Sequence, residues 1–242
     1  MNPGFFGDAS RQLYGAYHPA SGSSRGVVIV PPVGQEGLRA HRALRILADA
    51  WATAGWHVLR VDPFGTGDAG GSDHDVTLAG VVADTRTALK ELAAVSGARQ
   101  LIACGLRLGA TAALLTATLD PAVRGLALWE PITDGPAWMA EIGLSRAGGA
   151  AQGFDYSPTF ASELRALRVD ASSPAGPLPK RAILVWNQED SARTAATDAL
   201  RGRIERLEVQ TLPSPRAWAE ENDFGAGPVP AAVIAALQAW RG

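Results

Sequence analysis

The sequence predicts an α/β fold: a mostly parallel sheet of the eight-stranded type, helices on both faces, and one small insertion. Three observations carry this. Short apolar runs rich in β-branched residues alternate with longer segments of helical periodicity, the pattern of a parallel sheet buried on both sides. The alternation holds along the 242 residues except over about 132–180, where glycine and proline are frequent and no strong strand is written. Finally, Gly105-Leu106-Arg107-Leu108-Gly109 joins an apolar strand to an apolar helix, with a glycine on either side of a sharp turn.

Taken in order, two strands are predicted first, around Gly4–Asp8 and Gln12–His18. Gly26–Val30 is a near-continuous β-branched run, as a strand buried on both faces should be. A helix over roughly Leu38–Ala54 places Leu44, Leu47, Ala48 and Trp51 on one face and stops at Gly55. His57–Asp62 is the next strand, closed by the turn-rich Pro63-Phe64-Gly65-Thr66-Gly67. Leu78, Val81, Val82, Thr85, Leu89 and Leu92 recur at helical spacing. The elbow strand Gln100–Cys104, its helix Leu108–Leu119 and the strand Val123–Trp129 follow.

After the insertion, whose segment Ser172–Pro179 reads as a linker, the alternation resumes. It gives a strand Arg181–Asn187, a helix Ser191–Leu200, a strand Arg206–Leu212 and a last helix with Pro228 at or near its start. The whole chain, 1–242, reads as one domain.

Composition excludes several classes. With 22 basic against 24 acidic residues there is no footprint for nucleic acid or an anionic membrane. The N-terminal segment Met1–Gly26 has no continuous apolar run of the signal-peptide kind. Arg107, Asp120 and Arg124 interrupt the most apolar stretch, so no membrane span is expected. The single Cys104 permits no internal disulfide. The expectation is a cytoplasmic protein. No cluster of histidine, cysteine and carboxylate has ligand spacing, so neither a metal nor a cofactor is expected.

The segments Leu13–Pro19, Pro31–Glu36, Val61–Asp68, Gly105–Gly109 and Leu128–Pro131 together resemble the α/β-hydrolase superfamily, over the whole chain. More narrowly, the chain resembles the exosortase A system-associated hydrolases, in the subgroup with arginine in the elbow. Pro31-Pro32-Val33-Gly34 departs from the histidine-proline start of that family. The resemblance implies an α/β-hydrolase fold, an insertion that forms a lid over the site, and a setting linked to exopolysaccharide and protein sorting. The word hydrolase there describes the fold more than the chemistry.

In that superfamily Gly105–Gly109 is the G-x-S-x-G nucleophile elbow, with Arg107 at the nucleophile position. A guanidinium stays protonated and cannot attack a carbonyl. The triad order is nucleophile, acid, histidine, yet the four histidines are His18, His41, His57 and His74, all upstream of the elbow. Asp190, after the strand ending at Asn187, stands where the acid belongs. Ordinary Ser-His-Asp catalysis is ruled out.

Arg107 therefore has two readings. It is an anion clamp at a helix N-terminus, or a buried ion pair with Asp190 or Glu36. Glu36 is either a general base facing the same cavity or a first-turn acid of the helix that follows. Asp190 without a histidine most simply balances Arg107. Backbone N–H groups of Val33 or Gly34, with that of Leu108, form a candidate oxyanion hole. Trp138, Phe154, Tyr156 and Phe160 line a lid pocket or simply pack the insertion, and Trp138 is taken as substrate-binding.

His74 reads as an exposed loop residue, Cys104 as an inert buried thiol, and Arg39, Arg42 and Arg45 as a solvated face helped by Arg45–Asp49 pairing. Two functions follow. One is an enzyme of hydrolase ancestry that binds a small acyl or anionic substrate through Arg107, with Glu36 or Asp190 handling a proton. The other is a catalytically silent binding or accessory protein.

Overall fold

The computed structural model describes residues 1–219 and 227–240. Ten strands and seven α-helices make up this part. They are β1 (Asn2–Asp8), β2 (Arg11–His18), β3 (Arg25–Val30), α1 (Gly34–Thr53), β4 (His57–Asp62), α2 (Leu78–Ser96), β5 (Gln100–Leu106), α3 (Leu108–Leu119) and β6 (Val123–Trp129). The insertion holds α4 (Gly135–Ile142), the short strands β7 (Gly149–Ala151) and β8 (Phe154–Tyr156), and α5 (Pro158–Ala166). Then come β9 (Arg181–Trp186), α6 (Ser191–Arg201), β10 (Arg206–Thr211) and α7 (Ala231–Ala239).

Eight strands form one sheet in the order β1-β2-β4-β3-β5-β6-β9-β10. The pairs β1–β2 and β2–β4 are antiparallel, and the rest are parallel. The fold class expected from the alternation is the one found. The sheet divides two apolar layers. On one side α2, α3, α6 and the insertion pack over Val28, Val30, Ala103, Leu126 and Leu184. On the other, α1 and α7 cover Val27, Ile29, Cys104, Ala127 and Val185. Alternate residues of one strand thus serve opposite layers, as the period of two requires.

From β3 the chain steps to β4 on one side, then crosses back to β5 on the other. Ligands of open α/β sheets bind where the strand order reverses in this way, beyond the carboxyl ends of the strands. The exit from β3 (Pro31–Gly34) and the turn after β5 (Arg107) both lie there.

The bounds of β4, α3 and β6 are those read from the sequence. Four other details differ from the sequence reading or add to it. Helix α1 begins at Gly34, four residues ahead of the expected Leu38, so Glu36 belongs to its first turn. The last helix begins at Ala231 with Pro230 at its N-cap; Pro228 lies ahead of it. The insertion does hold strand, the three-residue hairpin of β7 and β8. Asp49 meets His18 at 2.9 Å, whereas Arg45 forms no ion pair among the described residues. None of the described helices is long and apolar enough to cross a membrane.

Candidate functional site

The elbow turn is built by its glycines. A Cβ on Gly105 would sit 2.3 Å from the Gly109 carbonyl, and one on Gly109 would sit 2.3 Å from the Val30 carbonyl oxygen. Both are backbone contacts that no side-chain rotation relieves, so the turn can hug β3 only with glycine at these positions. Arg107 between them has φ 54° and ψ −123°, the strained geometry of an elbow residue. Its N–H donates to the Trp129 carbonyl, and its own carbonyl accepts the N–H groups of Ala110 and Thr111 in α3.

The Arg107 side chain does not project into open space. The side chain is only 6% exposed, and its guanidinium lies between two carboxylates. Nε and Nη2 each lie 2.9 Å from Glu36 Oε1, and Nη2 is 2.8 Å from Glu141 Oε2. Trp218 stacks under it at 5.4 Å, a cation–π contact. Burial opposes the charge, but Glu36 and Glu141 outweigh it and raise the Arg107 pKa.

Glu36 is as deeply buried as its partner. Its Oε1 also accepts from Trp138 Nε1 at 3.3 Å, while Oε2 is buried with no hydrogen-bond partner. Burial raises the Glu36 pKa despite the adjacent guanidinium. Glu141, on α4 of the insertion, is 50% exposed.

Three expected site residues thus meet: Arg107, Glu36 and Trp138. Val33 and Gly34 lie just ahead of Glu36, separated from it by Gln35, and Leu108, fully buried, immediately follows Arg107. Gly34 has φ +61°, and the Tyr156 hydroxyl lies so close that a Cβ there would be 2.0 Å from it. Of the two readings of Glu36, the structure bears out the first-turn acid of α1, and Glu36 is the partner of Arg107 as well.

Asp190 is corrected. It caps α6 by accepting the Arg193 N–H at 2.8 Å and pairs with the Arg193 guanidinium, not with Arg107. The same guanidinium holds Glu130 at 2.8 Å; Glu130 is 1% exposed, has φ 46°, and also accepts the Asn187 N–H. A second arginine between two carboxylates therefore occupies the ends of β6 and β9. Sequence reasoning missed Glu130, Glu141 and Trp218. Only Glu130, directly after β6, stood at a strand end where it could have been found.

A cavity of about 700 Å³ lies beside this cluster, between α1, the loop after β4 and the β7–β8 hairpin. Gly34 and Tyr156 line it, whereas Arg107, Glu36 and Trp138 do not. His74 is an exposed partner of Asp155 at 3.2 Å, and burial pushes the Cys104 thiol pKa far up, so neither offers a nucleophile or base. No group of histidine, cysteine and carboxylate residues able to hold a metal occurs among the described residues.

Comparison with solved structures gives the same fold at low identity. Est1E from Butyrivibrio proteoclasticus, in a structure with ferulic acid bound, has a TM-score of 0.73 at 14% identity, over 97% of this chain and 96% of its own. Alpha/beta hydrolase domain-containing protein 10 from mouse has 0.66 at 16%, over 98% and 96%. XC6422 from Xanthomonas campestris, described as an α/β serine hydrolase without lid, has 0.65 at 15%, over 98% and 91%. No curated protein matches the sequence. The family model for serine aminopeptidase, S33, matches residues 26–165, more than half of the chain. By that match and by its fold, the chain belongs to the S33 serine aminopeptidase family of α/β hydrolases.

Proposed function

We propose that the protein binds a small acyl or anionic molecule in the cavity beside the elbow and performs no serine-type hydrolysis. The observation that carries this is the elbow side chain, an arginine buried between Glu36 and Glu141. It is not a nucleophile, and the chain has no histidine after His74 to serve as base. What the fold retains is the cavity, whose size suits a small molecule. The insertion, with Phe154 and Tyr156 in the cavity wall, acts as its lid. The family resemblance adds the setting, an accessory role in an exosortase- or exopolysaccharide-type system in the cytoplasm.

The test pairs chemistry with binding. A fluorophosphonate probe should leave the protein unlabelled, and short p-nitrophenyl esters should turn over no faster than with denatured protein. Medium-chain fatty acids should raise the melting temperature. Stoichiometric labelling of any serine, or ester turnover above the control, overturns the proposal.

One observation favours an enzymatic reading with Arg107 as clamp. Glu141 is half-exposed and sits on Nη2, where a ligand carboxylate would bind. That reading requires the ligand to displace Glu141, and it leaves proton transfer to Glu36, whose Oε2 is unpartnered.

A further inference from the structure

We infer that the cavity takes a carboxylic acid bearing an amino or hydroxyl group next to its carboxylate, held by Arg60 and Asp62 rather than by Arg107. The inference rests on the binding function proposed above and names the chemistry of its ligand. Arg60 and Asp62 both line the cavity, at the carboxyl end of β4. They are two residues apart on one strand, so their side chains leave the same face.

Neither has an ion-pair partner among the described residues. Arg60 Nη1 lies 3.3 Å from His41 Nε2, Nη2 reaches only the Met1 sulfur at 3.8 Å, and Nε is buried with no partner. Asp62 Oδ2 accepts the Asp68 N–H at 3.1 Å and packs on Gly67, where a Cβ would lie 2.3 Å from that oxygen. Arg60 is the one lysine or arginine in the described wall, and burial lowers the pKa of the neighbouring His41. Of the other acids there, Asp73 already accepts the His74 and Asp155 N–H groups, and Asp68 is exposed.

Burial lowers the Arg60 pKa and raises that of Asp62 even though each feels the other's charge, so each gains from a further opposite charge brought to it. A simple anion would meet Asp62 and a simple cation would meet Arg60. A molecule with both groups side by side satisfies the two at once. Side chains two apart on a strand share a face, and an α-substituted acid presents its carboxylate and its second polar group from adjacent carbons, one to each side chain. Ile29, Leu44, Val61, Val76 and Phe154 supply apolar wall for the remainder of the ligand.

The test is calorimetric titration of the full chain with 2-aminooctanoate, 2-hydroxyoctanoate, octanoate and 1,2-octanediol. Both substituted acids should bind more tightly than octanoate, and the diol most weakly. Preference for the amino acid assigns an ammonium to Asp62, and preference for the hydroxy acid a hydroxyl. Arg60→Gln should weaken all three acids about ten-fold or more, the loss of one charged hydrogen bond. Asp62→Asn should erase the advantage of the substituted acids, because octanoate binds more tightly once the facing negative charge is gone. Should Arg60→Gln fail to fold, Asp62→Asn and the diol comparison decide the matter. The assignment is overturned if the diol binds as well as the acids, if Arg60→Gln leaves acid affinity unchanged, or if no acid binds at millimolar concentration. Binding that ignores both residues refutes this assignment and leaves the binding function standing; ester turnover refutes the binding function itself.

Discussion

Replacing Arg107 with methionine strips the elbow of its charge and leaves Glu36 ionised in the core. The cost follows from the surroundings. Glu36 is deeply buried, its Oε1 would keep only the Trp138 N–H, and its Oε2 already has no partner. Removing one member of such a pair costs about 3–5 kcal/mol. Glu36 can escape by taking a proton, which for a carboxyl of ordinary pKa costs about 3.7 kcal/mol at pH 7, within the same range. The lost stacking on Trp218 adds about 0.5–2 kcal/mol, partly offset by the methionine side chain.

Urea denaturation should therefore show a loss of about 3–5 kcal/mol at pH 7. The sign of its pH dependence is fixed. Without Arg107 the folded Glu36 has a pKa above its unfolded value, so the deficit is largest at neutral pH. It shrinks as pH falls towards the unfolded carboxyl pKa, about 4.3. Arg107→Met with Glu36→Gln should restore most of the stability, and Arg107→Met with Asp190→Asn should restore none. A loss below about 1 kcal/mol, the size of a surface pair, or rescue by Asp190→Asn, would refute the pairing of Arg107 with Glu36.

Three further outcomes are expected. Arg107→Ser should remain inert towards p-nitrophenyl esters, because no histidine follows the elbow and triad members act as a unit; burst kinetics would say otherwise. Glu141→Gln should change stability by less than about 1 kcal/mol in thermal melts, since that carboxylate is half-exposed. Gly34→Ala should destabilise by about 1–3 kcal/mol, through its positive φ and the clash with the Tyr156 hydroxyl. Combining it with Tyr156→Phe should recover part of that loss, read as a double-mutant cycle.

The sequence showed the sheet because strands buried on both faces write themselves as continuous apolar runs, as in Gly26–Val30 and Val123–Trp129. It hid the start of α1, because Gly34-Gln35-Glu36-Gly37 carries no apolar periodicity and the buried stripe begins only at Ala40. The elbow was legible from its two glycines. The partner of its arginine was legible only in part. Glu36 was visible through its closeness to β3, whereas Glu141 lies in an insertion that no local pattern ties to the elbow.

Asp190 was assigned by its place in a chain order, yet Asp190-Ser191-Ala192-Arg193 already has the form of a helix N-cap with an i,i+3 pair. Arg60 and Asp62 were written as part of a strand. A charged pair at alternate positions, where an otherwise buried parallel strand meets the ligand side of the sheet, was the available signal.

If the elbow arginine is held by its own carboxylates and the ligand binds elsewhere, a crystal of the protein soaked with 2-aminooctanoate should show ligand density in the cavity against Arg60 and Asp62. Arg107 should still be paired to Glu36 and Glu141. Density for the ligand carboxylate on Arg107 Nη2, with Glu141 swung away, would show that the elbow arginine is the binding group instead.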